Sequence, residues 1–172
     1  MSQNIDFRLI QSFSLKDLDK SAKHVGRTAY WKLYSIENLF RLIVNSVLFA
    51  QLDKDWWSKA VNPTTQRTAI KNKNKYKNRP WHTSPGLHDI YYIDLFDLNE
   101  IIRVNSGSFL PVIDDIDQWI VKIETIRFPR NIVAHMNFPN KKDVKRIDIF
   151  YDDLVDLIKM IQGQNKIVFR IP

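Results

Sequence analysis

In the last third of the chain, Arg130, Asn131 and His135 fall within one short run, Arg130-Asn131-Ile132-Val133-Ala134-His135. A guanidinium grips a phosphate through parallel N–H donors and stabilises charge developing on its oxygens, while histidine titrates near neutrality and can carry a proton. RNA supplies its own nucleophile, the 2′-hydroxyl, so these residue types suit phosphodiester cleavage that needs no metal. The sequence offers no convincing ligand set: cysteine is absent, and His82, His88, Asp89 and Asp94 match no established metal-site spacing. No metal and no cofactor are therefore expected. An Arg-x4-His spacing arises by chance in about one such chain in four, so its context must supply the specificity.

Two residues supply context. Pro129 precedes the run; without an N–H and with φ fixed, it should end or kink the preceding helix just before Arg130 and start a new turn. On a straight helix, positions five apart differ by about 140° around the axis, and a kink brings them closer. The second is Glu37, which shares the buried phase of its helix with Leu33, Tyr34, Phe40 and Arg41. A carboxylate on an apolar face needs a partner. Arg41, one turn on, is the simplest; the alternative is that Glu37 orients Arg130 or Arg41 within a site.

The elements that carry these residues read as helices. Apolar or aromatic residues recur every three or four positions from Ala29 to Gln51, from Ile113 up to Pro129, and from Val144 to Ile161, with Gly163 as the C-cap. Asp89 to Asn105, Thr64 to Lys77 and Leu15 to His24 also have helical spacing, although the Lys/Asn alternation from Lys71 to Lys77 reads as a mobile loop. Ile5, Phe7 and Leu9 alternate with polar residues, as do Ile167, Phe169 and Ile171, which suggests that the two ends of the sequence pair as strands. The expectation is one all-α domain over residues 1–172, a bundle of four to five helices with its core between about residues 28 and 162.

Charge is concentrated. Residues 56–88 carry Lys59, Arg67, Lys71, Lys73, Lys75, Lys77 and Arg79 with no acid, and the remaining 19 Lys and Arg balance the 19 Asp and Glu elsewhere. Such a basic loop or helix attracts polyanions, with Lys71, Lys73, Lys75, Lys77 and Arg79 as the RNA-binding candidates; the plain alternative is a solvated segment. Trp56, Trp57, Tyr76 and Trp81 interleave with it, either to stack bases or to anchor the segment on the bundle. Residues 89–124 hold eight acids against Arg103 and Lys122, a complement on which the basic segment can dock. The first residues lack a secretory pattern, and the most apolar run, Leu42 to Phe49, contains Asn45 and Ser46, so a soluble, cytosolic protein is expected without membrane association.

The run Arg130-Asn131-x-x-x-His135 resembles the Arg-x(4 to 6)-His motif of the HEPN superfamily, often written with Asn after the arginine. The approach Ile116, Trp119, Ile120, Ile123, Ile126 is similar to the family's third long helix, and Ser35-Ile36-Glu37-Asn38-Leu39-Phe40-Arg41 to an earlier helix with an inward glutamate. Ile90 to Leu98 followed by Ile101-Ile102 resembles a segment of a prokaryotic branch, so that the likeness covers about residues 28–162. It implies a helical bundle that forms a homodimer, facing two Arg/His motifs across a cleft that cuts single-stranded RNA without metal, in a toxin or phage-defence setting with an antitoxin or defence-complex partner. By the same resemblance His135 moves a proton, Arg130 binds the scissile phosphate, and Asn131 and Glu37 orient or polarise. Some members are instead non-catalytic modules that bind nucleotide or RNA or mediate dimerisation. A third reading is an unrelated helical adaptor in which Arg130, Glu37 and His135 form a structural network.

Overall fold

The computed structural model describes residues 5–172. Several of the helices start where a side chain satisfies the backbone donors that a first turn leaves open. Ser14 accepts from Asp17 N at 3.3 Å and opens α1 (Leu15–Val25). A π-helical turn, Gly26–Tyr30, carries the chain without a break into α2 (Trp31–Leu52). After α3 (Trp56–Ala60), Asn62 accepts from Thr65 N at 2.9 Å and Pro63 sits at the first position of α4 (Pro63–Lys77), where its missing donor has no cost. His88 Nδ1 accepts from Ile90 N at 3.1 Å to start a 3-10 turn, Asp89–Tyr92, and reciprocal bonds between Asp94 and Asp97 open α5 (Leu95–Val104). The short α6 (Ser106–Phe109) follows, then α7 (Ile116–Thr125) capped by Asp115, then α8 (Arg127–Ala134). Asn140 and Asp143 cap α9 (Lys141–Gly163) reciprocally.

α2 is the central element. Leu33, Ile36, Phe40, Ile43, Val44 and Val47, continued from Ala29 of the π turn, form its buried stripe and face α5, α6 and α9. Phe40, Trp119 and Phe150 meet at its centre with ring centroids 6.0 to 6.3 Å apart. Truncating such a buried ring costs about 3–5 kcal/mol. One 18-residue window within the helical stretch Leu15–Ala60 reaches a mean hydropathy of 1.2, and half of that window is buried inside the bundle. The apolar character of α2 thus serves helix packing here.

Four expectations need correction. The chain is 73% helical with no strand among the described residues, so the ends do not pair. Phe7–Leu9 is instead a 3-10 turn capped by Asp6, and the final segment crosses α2, where Arg170 N donates to Ser46 Oγ at 2.8 Å and its carbonyl accepts from Asn45 Nδ2 at 2.9 Å. Lys71 to Lys77 is no loop but the last turns of α4, fixed at its far end by Asn72 Nδ2 on the Tyr92 carbonyl at 2.9 Å and by Lys73 on Asp89 at 2.6 Å. These two contacts also dock the basic segment on the start of the acidic one within the monomer. Gly163 is still helical; the left-handed residue after α9 is Asn165, with φ of 50°. The break before the motif falls at Ile126, between α7 and α8, rather than immediately before Arg130. A proline clashes with the carbonyl four residues earlier, here that of Thr125, so Pro129 interrupts the helix one turn upstream and then sits in the first turn of α8.

Candidate functional site

The residues one position beyond the core stripe of α2 build the site. Tyr30, Tyr34, Glu37 and Arg41 follow Ala29, Leu33, Ile36 and Phe40, so they lie about 100° around the helix, at the edge where core meets solvent. Opposite them α8 brings Arg130, the loop before the 3-10 turn brings Pro85, and the turn itself brings Tyr91. Glu37 ties the two sides together: one carboxylate oxygen accepts from Arg41 and the other from Arg130 Nη2 at 3.3 Å. Both partners foreseen for this carboxylate are therefore present at once. The Glu37 and Arg130 side chains are only 20% and 22% exposed.

The arginines are fixed by further contacts. Arg41 donates to the Ile90 and Ile93 carbonyls at 3.3 and 3.1 Å and to Asn38 Oδ1 at 3.1 Å. Arg130 reaches Asn131 Oδ1 at 3.4 Å, and its guanidinium lies 6.0 Å from the Phe96 ring centroid. Arg127, the neighbouring cation, lies 4.9 Å from the same Phe96 ring and pairs with Glu124 at 3.3 Å. One carboxylate against two guanidiniums leaves the cluster with a formal excess positive charge, a fit for a phosphate.

Above this cluster runs a trough. A cavity of about 410 Å³ lies toward Tyr30 and Tyr34, and a second of about 400 Å³ lies toward Asn72, Lys75 and Tyr76 of α4; Glu37, Arg41, Pro85, Tyr91 and Arg130 line both. The basic helix and the Arg130 motif thus border one continuous depression, edged by the exposed rings of Tyr30 (53%), Tyr34 (64%) and Tyr76 (39%). Gly86 is required at its margin: a Cβ there would fall within 2.8 Å of the Tyr91 ring, and the Gly86 carbonyl accepts from Tyr92 Oη at 2.8 Å.

The remaining candidates are placed unevenly. Of the basic residues, Lys75 lines the trough, Lys71, Lys77 and Arg79 are exposed, and Lys73 is engaged with Asp89 and the Leu87 carbonyl. Asn131 is half-buried beside Arg130. His135 caps the end of α8 through its backbone and is exposed, one residue beyond Ala134, which still lines the trough. No described side chain bonds to its imidazole, and it does not share the cavity with Arg130. Trp56 is buried and donates to Asn45 Oδ1 at 3.1 Å, so it anchors the segment, whereas Trp81 is exposed. His88 stacks on Trp56 at 5.1 Å, and burial there pushes its pKa below the ordinary histidine value. No group of three or more His, Cys, Asp or Glu among the described residues could hold a metal ion. Of the trough tyrosines, Tyr76 was among the base-stacking candidates of the sequence, whereas Tyr30, Tyr34, Asn72 and Asp97 were not singled out, although the one-residue offset from the core stripe was there to be read for Tyr30 and Tyr34.

No protein-family model matches this chain, and neither a curated protein nor a solved structure is similar to it.

Proposed function

We propose that the protein is a metal-independent endoribonuclease of HEPN type, acting on single-stranded RNA as a homodimer. The observation that carries the reading is the Glu37 bridge, which holds Arg130 and Arg41 at the floor of an open trough bordered by Lys75 and exposed tyrosines. Arg130 binds the scissile phosphate. The 2′-oxygen attacks phosphorus, the bond to the 5′-oxygen breaks, and the products are a 2′,3′-cyclic phosphate and a 5′-hydroxyl. His135 takes the 2′ proton or delivers one to the leaving oxygen. On this reading His135, exposed beyond the trough of its own chain, completes the Arg130 site of a second subunit. An antitoxin or defence-complex partner would restrain such an activity in the cell.

The exposed, unbraced imidazole favours a second reading, a non-catalytic module that binds RNA or nucleotide in the same trough. One experiment separates the two. Wild type, Arg130→Ala and His135→Ala, matched by circular dichroism, are incubated with end-labelled single-stranded RNA in excess EDTA. Cleavage by wild type alone, leaving cyclic phosphate ends, is the expected result. Binding by all three without cleavage by any would overturn the catalytic reading.

A further inference from the structure

The half of the trough between α4 and α5 differs from the arginine end. Its wall presents Asn72, Lys75 and Tyr76 together with Asp94 and Asp97. Phosphate binding alone gives no reason to place acids there, since each repels the ligand. Asp94 is engaged as a helix cap, with one oxygen accepting from Phe96 N at 2.9 Å and Asp97 N at 3.1 Å. Asp97 uses only Oδ2, which accepts from Asp94 N at 3.3 Å; no described residue bonds to its other oxygen. Burial, and then the neighbouring Asp94 charge, push the Asp97 pKa up, while the bond from Asp94 N opposes them.

Lys75 stands beside it under restraint. Its ammonium donates to Asn72 Oδ1 at 3.0 Å, and the same amide donates to the Tyr92 carbonyl at 2.9 Å, so the charge is positioned by a side chain fixed to the 3-10 turn. The Tyr76 ring is braced edge-on by Tyr92 at 6.0 Å and remains partly exposed. A carboxylate, an ammonium and an aromatic ring around a cavity of about 400 Å³ form a recognisable set. Guanine is the one base of RNA with two adjacent donors, N1–H and N2–H, on its pairing edge, and O6 and N7 acceptors beside them. Adenine and cytosine set a donor next to an acceptor, and uracil sets one N–H between two carbonyls.

We propose that this end of the trough is a guanine subsite, in which Asp97 accepts from N1–H and N2–H, Lys75 donates to O6 or N7, and Tyr76 stacks on the base. The inference rests on the ribonuclease reading of the same trough and deepens it, since a guanosine seated here fixes which phosphate lies over Arg130.

The test uses the full chain carrying His135→Ala, which leaves RNA uncut on that reading. Fluorescein-labelled hexanucleotides of uridine with one central G, A, C or inosine are titrated by anisotropy. The expected result is G bound about 10-fold more tightly than A, with inosine, which lacks the N2 amine, between them. Asp97→Asn keeps an oxygen for Asp94 N–H, so its melting curve should match the parent, yet it should reduce the G preference to about 2-fold or less. Equal affinity for G and A, or an equal loss for every base in Asp97→Asn, overturns the subsite. Wild-type cut sites are mapped in parallel on a random-sequence RNA. Cuts without guanosine at a fixed position refute the subsite and leave the nuclease standing. No cuts, with the G preference intact, refute the nuclease and leave the subsite standing.

Discussion

Replacing Glu37 by Gln should damage both the fold and the chemistry, by amounts that the surroundings of this carboxylate set. Gln keeps the shape and one acceptor but removes the charge that Arg41 and Arg130 share. Breaking a fully buried pair costs about 3–5 kcal/mol and an exposed one about 0–1 kcal/mol. With the three side chains between 12% and 22% exposed, the site lies between these limits. Screening from the open trough pulls the figure down, and a loss of about 2 kcal/mol is expected. For a chain of this size that is a fall in Tm of about 4–8 °C. The freed Arg130 also loses its orientation, so cleavage of single-stranded RNA should drop about 10- to 100-fold at a temperature where the variant is folded. Thermal melts and initial rates on the same preparations provide the check. A Tm within about 1 °C of wild type would refute the energetic argument. A lowered Tm with an unchanged rate would make Glu37 a structural tie only.

Asn45→Leu should lower Tm by about 6–10 °C, because it leaves the buried Trp56 indole N–H without its acceptor and reduces the Arg170 carbonyl to the longer bond from Ser46 Oγ; differential scanning calorimetry reads this directly. His88 gives stability a pH dependence of known sign. Its folded pKa lies below the ordinary 6.5, mainly through burial, with Lys73 acting the same way and Asp89 against it. The unfolded chain therefore binds the proton first, so this contribution is present above about pH 6.5 and is lost as pH falls through the folded pKa. Melts between pH 7.5 and 5.5 should slope less in His88→Gln than in wild type. Gly86→Ala should push the Tyr91 ring from the margin shared by both cavities and weaken RNA binding about 10-fold, read by anisotropy, with a change in Tm of about 2–6 °C.

Much of this architecture was legible because local rules and packing agree. The three long stripes predicted α2, α7 and α9 since each buries one face against its neighbours. Thr64 to Lys77 was read both ways, and what decides it is distant: Tyr92 and Asp89 receive Asn72 and Lys73, contacts that no window of sequence contains. Of the alternating residues at the two ends, Ile167 and Phe169 pack against the bundle while Phe7 and Leu9 stay exposed, and Ser46 and Asn45 provide the backbone partners that another strand would have offered. In the site, the phase of Glu37 announced an inward carboxylate, and burial turned it into a bridge between two cations. Arg130 lies in a depression of the single chain, whereas the resemblance implied a cleft between two chains. His135 was not brought to it, because a capping residue at the end of α8 follows the direction of the next loop rather than the helix face that carries Arg130.

The π turn at Gly26–Tyr30 holds one more residue than an α-helical turn would need. That residue is slack in the chain. Its deletion on the N-terminal side of Ala29 would let the segment rewind as ordinary helix and rotate α1 by about 100° about the axis of α2. Lys16, Lys20 and Lys23 of α1, which line a depression together with Asp19 and Arg27, would then face a new direction as a block. The number of residues in this turn therefore sets the direction of an outer basic face relative to the core, and Tyr30, at the end of the turn, is where a change of that number would also reach the trough.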